Sequence, residues 1–203
     1  DFGPLFVESP FGIFREAVAH GGTIRGFVIP GAAKFSRREV DELVEQAKQL
    51  GAAGLIYARH TADGVQASAK AIGDEGTRRV LEASGASKDD LLVLASGAPD
   101  AASKMLGQLR LQVAKKQNLI PDGLWELTWV TDFPLFDWNA DEKRWDSVNH
   151  PFTAPREEDL PLMKSDPGRV LAKAYDVILN GWELGGGSIR VHDRETQADV
   201  FRL

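Results

Sequence analysis

Gly185, Gly186 and Gly187 stand in a row inside sequence that otherwise reads as β-strand. Before them residues 174–184 are mostly apolar with several β-branched side chains. After them Ser188, Arg190 and His192 alternate with Ile189 and Val191, the period-two pattern of a strand with one polar and one apolar face. Glycine inside a strand packs nothing and loses more backbone freedom than other residues. A run of three therefore marks a bulge or a place where a ligand comes close to the main chain. The polar residues beside the run are chemically suggestive. Glu183 suits a divalent cation or a ligand hydroxyl, Ser188 can share that task, and Arg190 offers a planar fork matched to a carboxylate or phosphate. A plain bulge with Glu183 and Arg190 as a cross-strand ion pair accounts for the same residues, and at this level both readings stand. A Walker loop is excluded, because no lysine follows the glycines and strand-like sequence does.

Upstream, the punctuation defines a mixed module. Residues 23–30 read as a strand closed at Pro30-Gly31. Ser36 with Glu39 three positions on is a capping box, and Val40, Leu43, Val44, Ala47 and Leu50 form one apolar stripe that Gly51 ends, which predicts a helix. Residues 54–59 and 64–72 read as two strands joined by a turn at Asp63-Gly64. Asp74 opens a second helix closed by Gly85, residues 90–95 form another strand, and Pro99 starts a longer helix to Gln117. The expected class is α+β, a two-layer module with an antiparallel sheet of about four strands and helices on one face. Residues 1–14 show little periodicity and two prolines, and read as a connector. Nothing in this part groups into a catalytic constellation: His60 reads as a surface histidine, and Lys70, Arg78 and Arg79 as a solvated face.

From about residue 118 the character changes. Trp125, Trp129, Trp138 and Trp145 fall close together, residues 124–131 read as a strand, and 135–138 pairs with 144–148 as a hairpin. Two prolines then hold Asn149-His150-Pro151-Phe152-Thr153-Ala154-Pro155 in an extended course. With no cysteine, the chain has neither disulfides nor thiolate metal sites. No run reaches the ~18 apolar residues of a membrane span, and no signal layout opens the chain. The net charge of −6 comes without a basic stripe, so any main electrostatic grip on nucleic acid lies outside this sequence.

Three motifs, in order and spacing, resemble bacterial-type aspartyl-tRNA synthetase, a class II aminoacyl-tRNA ligase. They are Trp129-Val130-Thr131-Asp132-Phe133-Pro134, the stretch from His150 to Pro155, and Asn180-Gly181-Trp182-Glu183-Leu184 with the glycines through Arg190. Residues 18–112 resemble the insertion module of that family, the GAD domain, so the resemblance covers essentially the whole chain. It implies a connector from the catalytic domain at 1–17, a GAD-like insertion at 18–112, and part of the antiparallel-sheet catalytic domain at 113–203. It also implies a piece of a longer polypeptide: the chain opens at Asp1 without a methionine, and the family's motifs 2 and 3 would lie before and after it. Such a piece is expected to be inactive alone, with tRNA held mainly by regions outside it. The parent is expected to be a cytoplasmic homodimer without a membrane segment.

The resemblance also implies roles. Glu183 matches the carboxylate that serves ATP and Mg²⁺, and Ser188 a nearby metal-shell or substrate hydroxyl. Arg190 matches the arginine that grips the side-chain carboxylate of L-aspartate, and Gly186 and Gly187 would lie along the substrate. His150 matches the second position of a pair usually written His-His-Pro-Phe-Thr, with Asn149 in place of the first histidine that contacts aspartate. The implied chemistry is activation of L-aspartate by ATP to aspartyl-adenylate, then transfer to the 3′ end of tRNA. The other expectation is a non-catalytic interaction module, in which the GAD-like domain contacts tRNA or a partner subunit. The set Glu183, Ser188 and Arg190 separates the two, since an interaction module has no need of it.

Overall fold

A computed structural model describes residues 1–203, which fold as two units, Asp1–Pro121 and Asp122–Leu203. The first contains helix α1 (Gly12–Ala19), strand β1 (Thr23–Ile29), α2 (Arg37–Gln49), the hairpin β2 (Ile56–Thr61) and β3 (Gly64–Ala67), α3 (Gly73–Ser84), β4 (Leu91–Gly97) and α4 (Pro99–Lys116). Its antiparallel sheet has the order β1-β4-β2-β3. The α+β class and the four strands agree with the sequence reading, but the layering does not. Helices cover both faces. Leu91, Val93 and Ala95 pack with Leu43 and Ala47 of α2 and Met105, Leu106 and Leu109 of α4. Leu92 and Leu94 pack with Phe14 of α1 and Val80 and Leu81 of α3. The physical reason lies in β4: five apolar residues in succession, all buried, need cover on two sides, whereas a strand with one wet face alternates.

The opening segment also differs from a connector. Gly3–Phe6 is a 3-10 turn and α1 follows it. Phe6 and Phe14 are buried edge-to-face with ring centroids 4.8 Å apart, and the Phe2 N–H donates to the Ile24 carbonyl at 2.7 Å. The helix escapes sequence reading because its first residue follows Phe11, which makes no side-chain cap. The strand expected over residues 64–72 ends at Ala67, and Lys70–Ile72 forms a 3-10 turn before α3, whereas the helix signals hold. The capping box of α2 is complete, with the Glu39 N–H donating to Ser36 Oγ at 3.4 Å and the Ser36 N–H to Glu39 Oε2 at 2.8 Å. Gly85, at φ 70°, takes the left-handed turn that closes α3.

Asp90 ties two turns together. Its carboxylate accepts from the Gly31 N–H at 3.0 Å and the Ser87 N–H at 2.8 Å, and these backbone donors, Gly31 first, hold its pKa below the ordinary 3.8. A depressed acid contributes stability that is complete above its unfolded value and is lost as pH falls through the folded one. Asp90→Asn, which keeps one of the two acceptor oxygens and does not titrate, is therefore expected to be less stable at pH 7 and to narrow the gap between urea midpoints measured at pH 7 and pH 3. An unchanged gap would mean that these bonds carry no acid sensitivity.

The second unit contains β5 (Leu127–Val130), the hairpin β6 (Phe136–Asn139) and β7 (Arg144–Ser147), a short α5 (Leu162–Ser165), β8 (Ala174–Leu179), β9 (Trp182–Ser188) and α6 (Arg194–Arg202). Its main sheet runs β5-β8-β9, and bridges Pro134↔Leu171, Pro155↔Ala172 and Thr153↔Arg190 prolong it. Leu135, Phe136, Met163, Val170, Ala172 and Val200 form its core.

Two features depart from the sequence reading. The strand-like run at residues 174–184 is split by a turn at Asn180-Gly181, with φ 49° and 85°, the left-handed pair favoured in a two-residue hairpin, and the three glycines fall within β9. Asn180 also clamps the strand beside it, its Oδ1 accepting from the Glu126 N–H and its Nδ2 donating to the Leu124 carbonyl, both at 2.8 Å. After the bridge at Arg190 the chain enters α6, capped by Asp193 Oδ2 on the Thr196 N–H at 2.7 Å, and the alternating pattern at 188–192 gives no hint of it. None of the helices is long and apolar enough to cross a membrane.

Candidate functional site

The site is made by a register shift. Val177 pairs with Gly185 but Ile178 pairs with Glu183, so Leu184 is an extra residue, a β-bulge. In a regular strand Glu183 and Ser188, five positions apart, point to opposite faces. The bulge adds one step and returns Glu183 to the face of Ser188, where Gly186 lies opposite Asp176 and Ser188 opposite Ala174. The other face carries exposed Leu127, Trp129 and Trp182, so polar chemistry is confined to one side of the sheet.

On that side a cleft of about 240 Å³ is lined by Phe133, Asn149, His150, Thr153, Ala174, Asp176, Glu183, Gly186, Gly187, Ser188 and Arg190. Every site residue expected from the sequence, namely Asn149, His150, Glu183, Gly186, Gly187, Ser188 and Arg190, is among them. Glu183 and Arg190 share the cleft without forming the ion pair of a plain bulge. Arg190 Nη1 instead donates to Thr153 Oγ1 at 3.4 Å, which stands 3.2 Å from Ser188 Oγ. Thr153 is fully buried and so fixes one edge of an otherwise exposed guanidinium. His150 Nδ1 accepts from the Phe152 N–H at 3.3 Å, which leaves Nε2 as the proton-bearing nitrogen of the neutral ring. Its ring lies against Phe152, with centroids 4.8 Å apart.

The glycines have partly separable reasons. A side chain at Gly186 would overlap the Asp176 carboxylate, and one at Gly187 would run into the Tyr175 phenol. The bare strand thus lets neighbours from β8 lie across it. Nothing in the structure explains Gly185.

Asp176 and Thr153 are the residues that sequence reading misses. Asp176 could have been noticed as the one acid within the strand Ala174–Leu179, and Thr153 as the hydroxyl-bearing member of the motif already singled out. Asp176 and Glu183 put two carboxylates in one cleft beside the Ser188 hydroxyl. Two hard oxygen donors do not make a closed protein cage. They suit Mg²⁺, which takes one or two carboxylates and completes its shell with water and substrate phosphates. The residues present fit that ion, since the missing Cβ at Gly186 is what gives the Asp176 carboxylate its room.

The geometry defines a sheet floor that sets two carboxylates, a hydroxyl and a guanidinium around one cleft, joined in one chain to an α+β module. Within that module, residues 14–106 match the family model of the GAD domain. Over its full length the chain resembles a segment of bacterial-type aspartyl-tRNA synthetase. It is 42% identical over 204 residues to the aspartate–tRNA(Asp/Asn) ligase of Caldanaerobacter subterraneus subsp. tengcongensis, 45% to that of Moorella thermoacetica and 44% to that of Geotalea uraniireducens. In each case all of this chain and 34% of the relative are covered, so the chain spans about a third of the length of the curated relatives it matches.

Proposed function

We propose that the chain is part of an aspartate–tRNA(Asp/Asn) ligase and that its second unit is the floor of the aminoacylation site. The observation that carries this reading is the bulge at Leu184, which brings Glu183 to the face that holds Ser188 and Arg190. A purely structural hairpin has no use for that arrangement.

In the first step the α-carboxylate of aspartate attacks the α-phosphorus of ATP, forming the mixed anhydride and releasing pyrophosphate. In the second a terminal ribose hydroxyl of tRNA attacks the activated carbonyl and AMP leaves. Little covalent help is needed, so the residues act by positioning and by neutralising charge. Arg190 grips the side-chain carboxylate of aspartate in two parallel hydrogen bonds, oriented by Thr153. His150, held by the Phe152 N–H, offers Nε2–H to the same substrate, and Asn149 beside it offers an uncharged donor and acceptor. Gly186 and Gly187 line the same cleft and would lie along the substrate, with the bare Gly186 letting the Asp176 carboxylate sit on the floor beside it. Asp176 and Glu183, with Ser188 nearby, would hold the Mg²⁺ that neutralises ATP phosphates.

Selectivity follows from donor geometry. Arg190 presents only N–H groups, so an asparagine amide in the same place sets NH₂ against N–H and leaves donors unpaired. In the full-length protein containing this chain, ATP–pyrophosphate exchange is expected with aspartate and not with asparagine, and transcripts of both tRNA(Asp) and tRNA(Asn) are expected to accept aspartate. Exchange that ignores aspartate would overturn the reading; charging of tRNA(Asp) alone would overturn its dual tRNA specificity.

A further inference from the structure

We propose that α6 buttresses the substrate cleft and that Gln197 is a positioning residue, holding the loop at residues 150–153 that presents His150 and Thr153. The inference rests on the ligase reading above and goes beyond it, because Gln197 does not line the cleft.

The loop is short of main-chain partners of its own. The His150 carbonyl accepts from the Thr153 N–H at 2.8 Å, and the Phe152 carbonyl from the Val191 N–H at 2.8 Å. The Phe152 N–H is taken by the His150 ring, and Pro151 has no N–H to give. One carbonyl between them, that of Pro151, depends on a side chain: Gln197 Nε2 donates to it at 3.0 Å. A partly buried carbonyl left without its donor loses more than the bond, since desolvation is then uncompensated.

The helix that supplies Gln197 is firmly seated. Asp193 caps its first turn, and Val200 is buried in the unit's core among Leu135, Phe136 and Met163. Phe201 on the next residue meets Phe152 edge-on, centroids 5.9 Å apart at 81°, and Phe152 in turn lies against the His150 ring. The helix therefore reaches His150 by two routes, a hydrogen bond to the residue after it and an aromatic stack. Through Thr153 the same loop sets Ser188 and Arg190.

The test uses the full-length protein that contains this chain. Gln197→Ala is expected to raise the KM for aspartate about tenfold in pyrophosphate exchange, with the KM for ATP changed less than twofold. Gln197→Glu supplies a readout that a merely structural role would not move. As a carboxylate it cannot donate to the Pro151 carbonyl, and as a neutral acid it can. Its activity relative to wild type is expected to recover as the assay pH falls from 8 towards 5. Asp193→Ala, which loosens the helix start yet keeps the donor, is expected to lower the unfolding temperature and to raise the KM for aspartate less than Gln197→Ala does. Equal shifts of both KM values in Gln197→Ala, or a flat relative pH profile for Gln197→Glu, overturn the inference. Those results beside an inactive Arg190→Leu leave the ligase reading standing, whereas an active Arg190→Leu removes that reading and this inference with it. Should Gln197→Ala not fold, the pH profile of Gln197→Glu decides alone.

Discussion

Replacing Arg190 with leucine in the full-length protein is expected to lower aspartate-dependent ATP–pyrophosphate exchange by more than about a hundredfold while the unfolding temperature hardly moves. Loss of one partner from a desolvated, doubly hydrogen-bonded charge pair costs about 3 kcal/mol or more, which converts to that factor. The fold is indifferent because Arg190 is exposed and its single side-chain bond, to Thr153, is long at 3.4 Å. Arg190→Lys should recover little, because a point ammonium cannot reproduce the planar fork. Near-normal exchange in the leucine variant would sink the assignment of this residue.

The second large effect is expected at the acidic end of the cleft. Glu183→Ala should lower exchange by about a hundredfold or more at ordinary magnesium, the few kcal/mol that removing one charge-stabilising group costs. Asp176→Asn should be partly rescued by raising the Mg²⁺ concentration, since one carboxylate and the phosphates remain to hold the ion. A profile in which neither variant changes its response to magnesium would show that these carboxylates hold no cation. Because both are solvent-accessible side chains on paired strands, their replacement leaves the sheet hydrogen bonds in place.

How much of this was legible in the sequence depends on whether the signal is local. Ser36 and Glu39 mark the start of α2, Pro99 opens α4 and Gly85 ends α3, because caps and turns are decided within a few residues. The layering of the first unit is not local. Residues 91–95 read simply as a strand, and that both its faces are covered depends on where α1 lands, a helix whose start carries no capping side chain.

The site shows the same division. Glu183, Ser188 and Arg190 were recognisable as a chemically apt set, and the motif around His150 pointed to the second wall. What could not be read was their sidedness. Counting residues from Glu183 to Ser188 predicts opposite faces, and the extra residue that reverses the count is visible only once β8 is laid against β9. Asp176 was missed for the same reason: it enters the site through its register with Gly186, a relation between strands rather than along one. The Asn180-Gly181 turn was available to sequence reading, and the triple glycine next to it drew attention away.

Leu184 makes the length of this hairpin arm a kind of code. If the arm lost that one residue, it would run straight and every later side chain would keep its present side. If it lost Leu184 and one neighbour, the acid would swing through to the oily reverse of the sheet while the arginine stayed behind. Homologous arms should therefore be compared by odd and even together with the bulge: an arm shorter by one keeps the same chemistry by running straight, and an arm shorter by two keeps it only where an extra residue still interrupts the pairing.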